Sequence, residues 1–152
     1  DARRTLRRLS ATERFDAVFG DAADDFAVPY QLTTREFDEL VASHLRPNGL
    51  YLLNVIDGVR FDFLRSKVRT LRETFPYVGV LARPGQWPPR GEHDSFVLVA
   101  ARTRPQRSLP AVSAAALDDF LADGGSVVLT DDHVPVEQLL APVSRRAQDS
   151  DG

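Results

Sequence analysis

Three aspartates crowd the end of one apolar run. Ala17-Val18-Phe19 stops at Gly20, and Asp21, Asp24 and Asp25 follow at once. Beyond them, Thr33 and Glu36 form a Thr-x-x-Glu pattern at the head of a helical stripe, the signature of a capping box. That order puts the carboxylates at the C-terminal end of a buried strand, the edge at which open α/β sheets bind their ligands. Carboxylates placed there can hold an alkylammonium or take its proton, and an amine must lose that proton before it can act as a nucleophile.

Other polar residues invite weaker readings. Tyr30 and Gln31 lie between the acidic cluster and the helix, where they could line an amine pocket or simply pack onto the sheet. Trp87, in a loop rich in proline and glycine, could cover an alkyl amine. Asp57 falls at the end of a second apolar run and reads as a turn residue with Gly58. Asp131, Asp132 and His133 are adjacent rather than spaced on one face, and His44 and His93 lie in unrelated segments, so a turn is preferred and no metal site is assigned. There is no G-x-S-x-G elbow, which excludes serine hydrolysis of that type. Gly58, Gly79 and Gly85 do not compose a G-x-G-x-x-G phosphate loop.

The elements that must position these residues follow from periodicity. Leu6 and Leu9 among arginines predict a short amphipathic helix over 2–9. Residues 15–20 read as a strand, and Phe37, Leu40, Val41 and Leu45 as a helix ended by Pro47-Asn48-Gly49. The nearly continuous apolar run 49–56 predicts a strand covered on both faces. Phe61, Leu64, Val68, Leu71 and Phe75 mark a second helix, stopped by Pro76. Strands follow at 77–81 and 96–100, and their short connection suits antiparallel pairing. After a proline-flanked linker at 103–110, Ser113 caps a helix over 114–121. Residues 127–129 are extended, 135–140 form a short last helix, and the tail 144–152 is expected to be disordered. This alternation predicts an α/β layered sheet. Residues 1–102 would form part of a Rossmann-type domain, and 103–143 a linker and helical appendage.

Bulk properties set limits. The 152 residues suffice for one domain with a real core, and 43% hydrophobic with 27% charged residues is a globular composition. A net charge of −3 argues against a nucleic-acid binder. No apolar run approaches the roughly 20 residues that cross a bilayer. Cysteine is absent, so no disulfide or thiolate chemistry exists. Methionine is absent too, and the chain opens at Asp1 directly into a helical pattern, so a fragment or trimmed domain is expected.

These residues resemble the second half of the spermidine synthase family, polyamine aminopropyltransferases built on the AdoMet-methyltransferase fold. The likeness rests on Asp1-Ala2-Arg3, on Phe15-Asp16 with Gly20-Asp21 and Asp24, and on the helix start Leu32-Thr33-Thr34-Arg35-Glu36-Phe37. Asn48-Gly49 with the following strand, Phe96 to Ala100, and Leu129-Thr130-Asp131-Asp132 with Pro135-Val136 extend it to about residue 141. Bacterial spermidine synthase-like proteins, some fused to a membrane-spanning portion, look most similar.

The resemblance implies a mostly parallel sheet with one antiparallel strand. It implies transfer of an aminopropyl group from decarboxylated S-adenosylmethionine to putrescine. By position in the motif, Asp21 corresponds to the catalytic acid/base and Asp24 to a diamine contact. Asp1 corresponds to the residue that reads the adenine amino group, and Ala2 and Ala22 to the adenosyl pocket. The family's Gly-rich cofactor loop has no counterpart here, and Arg83-Pro84-Gly85-Gln86-Trp87-Pro88-Pro89 replaces the loop that many members close over the amine. Activity is therefore expected of a fuller polypeptide, cytoplasmic or membrane-attached through an upstream segment, and not of this chain alone. The implied partners are the two small substrates, a second copy or an N-terminal half. An AdoMet-dependent methyltransferase and a non-catalytic assembly module of the same fold remain as alternatives.

Overall fold

Four apolar runs, the first three separated by amphipathic helices, condense into one mixed sheet. The computed structural model describes residues 2–21, 29–91, 94–136 and 138–140. Strands β1 (Phe15–Gly20), β2 (Leu45–Asp57), β3 (Tyr77–Leu81) and β4 (Asp94–Ala101) lie in the order β1-β2-β4-β3. β1 and β2 are parallel, whereas β4 is antiparallel to both of its neighbours. β1, β2 and β3 therefore point one way, and β4 is inserted between β2 and β3 against them. The C-terminal ends of β1, β2 and β3 share one edge with the start of β4, as the sequence predicts for an α/β sheet with one antiparallel strand.

Helix α2 (Arg35–His44) links β1 to β2, and α3 (Asp62–Thr74) links β2 to β3. The predicted stripe of α3 is the centre of the core: Leu64, Val68 and Leu71 are wholly buried, with Phe75 just beyond. They share one apolar cluster with Val41 of α2 and with Tyr51, Val55, Phe96, Leu98 and Ala100 of the sheet. Helix α1 (Ala2–Arg8) precedes β1, and α4 (Ala114–Ala122) follows the linker. Ser113 caps α4 as expected, its side chain accepting from the Ala116 amide at 3.3 Å. Val112 donates from its backbone to Val80 O at 2.9 Å, which tacks the end of the linker to the free edge of β3. Among the described residues, no helix is long and apolar enough to cross a membrane.

Two local expectations are corrected. The capping box predicted at Thr33 and Glu36 does not form. Thr34 is the N-cap of α2 and accepts from the Phe37 amide, while Thr33 donates its hydroxyl to Tyr30 O at 2.8 Å. Glu36 instead accepts from the Asp131 amide at 2.9 Å. Consecutive threonines offer equivalent caps, and the 3-10 turn Tyr30–Leu32 consumes the first of them. The second correction is at the other end of α2. Pro47-Asn48-Gly49 do not stop the helix, which ends at His44; they form a bulge inside β2. Phe15 pairs with Leu45 and Ala17 with Leu50, so two steps along β1 match five along β2. Proline has no amide to give a ladder, and a bulge removes it from pairing. Glycine suits the bulge, because a Cβ on Gly49 would stand 3.0 Å from Phe15 O and the backbone would have to give way by a few tenths of an ångström.

The extended run at 127–129 uses side chains where a strand would use a neighbour. Val127 donates its amide to Ser66 Oγ, and Leu129 donates to Thr70 Oγ1, both on α3. Residues 144–152 lie outside the described residues.

Candidate functional site

β1 delivers Asp21 as the first residue beyond the sheet, exposed at its C-terminal edge. Its Oδ1 accepts from Asn54 Nδ2 at 3.0 Å. Asn54 is the one polar residue inside the apolar run of β2, and its Oδ1 accepts from Ser95 Oγ at 2.8 Å. One carboxylate oxygen is thus held by the sheet, on a side chain that still reaches solvent.

Beside this carboxylate opens a cavity of about 580 Å³ with mostly apolar walls. Leu6 of α1 and Leu9 just beyond it form one wall, Val18, Tyr51 and Leu53 of the sheet another, and Leu32 and Phe37 a third. Asp21 and Asn54 lie on its boundary with Thr5 and Thr33. An apolar pocket with few polar groups is the usual form of a small-molecule site. One carboxylate on such a pocket suits a cationic or amine-bearing ligand with a hydrocarbon or aromatic body.

Of the residues singled out in the sequence, Ala2 and Asp21 line this same cavity. Tyr30 and Gln31 are exposed in the 3-10 turn, and the lining from that segment comes from Leu32 and Thr33. The Gln31 backbone oxygen accepts from Arg3 Nη1 at 3.3 Å. Asp1, Ala22, Asp24 and Asp25 lie outside the described residues.

The remaining sequence candidates make contacts within the fold. Asp57 is buried at the end of β2, where Oδ1 accepts from the Gly58 amide at 2.7 Å and Oδ2 from the Leu64 amide at 2.8 Å. Burial pushes its carboxyl up to about 6 against the pull of those amides. It stabilises a turn in which Val59 and Phe61 both adopt left-handed φ, of 58° and 55°. Branched and bulky side chains rarely accept that conformation without such support. Asp131 receives a bidentate guanidinium from Arg3 and the Thr34 hydroxyl at 2.7 Å. The Arg3 hydrogen bond outweighs partial burial and, with the Thr34 bond, holds the Asp131 carboxyl below the usual range. Among the described residues, no cluster of three or more His, Asp or Glu is placed to hold a metal. Trp87 stacks edge-on against Phe120 of α4, with ring centroids 4.9 Å apart.

Sequence reasoning missed two features. Asn54 was legible only as a polar interruption of an apolar run. The other is Lys67, the only lysine of the chain, which lies beside Val68 and one turn from Leu64 and Leu71 on the buried face of α3. Its Nζ donates to both oxygens of Asp38, each at 2.7 Å, and to Thr33 O at 3.0 Å. The buried pair thereby fixes the backbone of a residue that lines the cavity.

No family model matches the chain. Over 43 residues, 28% of its length, the chain is 33% identical to the "Probable polyamine aminopropyl transferase" of Bifidobacterium longum (strain NCC 2705), of which it covers 10%. A probable spermidine synthase from Corynebacterium glutamicum ATCC 13032 superposes with a TM-score of 0.62 at 28% identity, over 82% of this chain and 44% of that one. MNMC2 from Aquifex aeolicus superposes at 0.58 with 19% identity, over 97% of this chain and 43% of that one. Human Methyltransferase-like protein 13, solved in complex with SAH, superposes at 0.54 with 18% identity, over 91% of this chain and 64% of that one. The last two share the fold alone. The chain spans less than half the length of the first two solved relatives. In local sequence the chain is similar to a polyamine aminopropyl transferase and in fold to a spermidine synthase, and its fold is of the AdoMet-methyltransferase-type Rossmann class.

Proposed function

We propose that the polypeptide carrying this chain is an aminopropyltransferase that joins the aminopropyl group of decarboxylated S-adenosylmethionine to putrescine. One observation carries the reading: Asp21 projects from the C-terminal end of β1 beside an apolar cavity, with one oxygen held by Asn54. The substrate ammonium gives its proton to Asp21. The freed nitrogen lone pair attacks the aminopropyl methylene bound to the sulfonium; the C–N bond forms as the C–S bond breaks, and its electron pair returns to sulfur. The products are spermidine and neutral methylthioadenosine, and Asp21 passes the proton to solvent. Positioning of the two substrates contributes much of the acceleration.

In this reading Asp24, Tyr30 and Gln31 contact the amine, and Asp1, Ala2 and Ala22 border the adenosyl group. Ala2 is the member of that second set whose place on the cavity is described, and its small side chain leaves room for a flat ring.

The test is methylthioadenosine release by the full polypeptide with putrescine and decarboxylated S-adenosylmethionine. Asp21→Asn is expected to lower kcat by about 10²–10⁴, the usual worth of a positioned proton acceptor. Undiminished turnover in that variant refutes the role. The methyltransferase alternative draws on the two fold relatives named above, and it is distinguished by product: S-adenosylhomocysteine formed from S-adenosylmethionine. Release of neither product would identify an assembly module.

A further inference from the structure

We propose that Asn54 is the positioning residue of Asp21, and that Ser95 and Gln86 fix Asn54 in the orientation this requires. The inference rests on Asp21 being the proton acceptor, and it adds Asn54, Ser95 and Gln86 to that site. Asp21 is an exposed strand-end carboxylate, and by itself such a side chain samples several rotamers. A proton acceptor must present one oxygen to the ammonium in a defined direction. Asn54 supplies that constraint by donating Nδ2–H to Oδ1 at 3.0 Å, which leaves Oδ2 for the amine.

A primary amide can face either way, so something must fix Asn54 in turn. Ser95 Oγ donates to Asn54 Oδ1 at 2.8 Å. With the amide oxygen engaged by Ser95, its NH₂ faces Asp21; the reversed amide would set oxygen against carboxylate oxygen. The contact is diagonal across the ladder, because Asn54 pairs with Val97, and Ser95 with Ile56 two residues on. Ser95 is itself braced. Its backbone oxygen accepts from Gln86 Nε2 at 3.1 Å, while Gln86 Oε1 accepts from the Arg83 amide at 2.8 Å. The loop between β3 and β4 is thus joined to Asp21 through Gln86, Ser95 and Asn54. Asn54 has no titrating proton and takes none in the reaction, so its contribution is geometric.

The role is tested by kinetics on the full polypeptide and by one spectroscopic measurement on this chain. Asn54→Ala is expected to lower kcat roughly tenfold, the worth of a hydrogen bond to a charged group, with KM for putrescine within about twofold. Ser95→Ala is expected to lower kcat roughly threefold, and Ser95→Thr, which keeps the hydroxyl, to restore it. In an Asp21→Asn background, Asn54→Ala should have no further effect. In NMR spectra of this chain, the Asn54 side-chain amide protons should shift upfield in Asp21→Ala. Wild-type kcat in Asn54→Ala, or an equal loss in the Asp21→Asn background, overturns the inference while leaving Asp21 as the acceptor. Full turnover in Asp21→Asn overturns both readings, and an unmoved Asn54 resonance in Asp21→Ala removes the contact itself. Ser95 is exposed, so its variants test the relay even if Asn54→Ala folds poorly.

Discussion

Lys67 and Asp38 form an ion pair from which water is excluded: Nζ stands 2.7 Å from each carboxylate oxygen, and neither side chain has any accessible surface. Burial pushes the Asp38 carboxyl up to about 6 and the Lys67 amine down, and each charge offsets only part of the other's desolvation. Such a pair does not stabilise by its own attraction; what matters is that neither partner is left alone. Lys67→Met should therefore cost about 3–5 kcal/mol in urea unfolding. Lys67→Met with Asp38→Leu should recover most of that loss. A double variant as unstable as the single one would show that the Thr33 O contact, not the pair, carries the effect.

Asp57 makes stability depend on pH in the opposite direction from most carboxylates. Its folded-state value of about 6 exceeds the unfolded value of about 3.9, so folding favours the protonated form. That stabilisation is complete below about 3.9 and is lost as pH rises through about 6. Asp57→Asn removes the titration, although it also turns an NH₂ toward one backbone amide. The stability advantage of wild type over Asp57→Asn should shrink by at most about 3 kcal/mol between pH 4 and 7. Parallel curves over that range would show that the Gly58 and Leu64 amides hold the carboxylate ionised instead.

Thr34 has two duties and Thr33 a different one. Thr34 accepts from the Phe37 amide and donates to Asp131 at 2.7 Å. Thr34→Val keeps the shape but removes the cap, and should lower the unfolding free energy by about 1–2 kcal/mol. Thr34→Ser, which restores the hydroxyl, should recover most of it. Equal losses from Thr33→Val and Thr34→Val would place the cap on neither residue alone.

What was legible in the sequence divides along the range of the interactions. Apolar runs located β1, β3 and the core of β2, but the expectation that β1 is a buried strand is corrected: β1 is the edge strand of the sheet, none of its residues is buried, and Phe19 is exposed. The stripe of α3 and the cap at Ser113 were equally local. The insertion of β4 between β2 and β3 depends on pairing Leu53 with Leu98 across 45 residues, and no local signal encodes it. The same holds for the site. Asp21 stood out because it ends a strand, whereas Asn54 becomes meaningful only when β2 brings it beside β1 and β4. Lys67 was visible as the only lysine among 19 basic residues, but its partner lies on another helix.

Trp87 tests whether the loop between β3 and β4 has a structural or a ligand-covering role. Its indole meets the Phe120 ring at 64°, and the Arg65 guanidinium lies 4.1 Å from the centre of that same ring. Arg65 also donates Nε–H to Phe120 O at 2.8 Å, which ties α3 to α4 under the loop. Trp87→Ala should cost about 2 kcal/mol, less than a fully buried tryptophan because the ring is half-exposed. Part of that loss, about 0.5–1.5 kcal/mol, should vanish in a Phe120→Leu background as the aromatic coupling. Trp87 is the only tryptophan, so its emission reports this contact directly and should move to longer wavelength in Phe120→Leu. If the loop is structural, KM for the amine stays within about twofold of wild type in Trp87→Ala, since uniform binding is untouched. A raised KM with unchanged stability would instead make Trp87 a cover over the substrate, and the Phe120 contact its resting place.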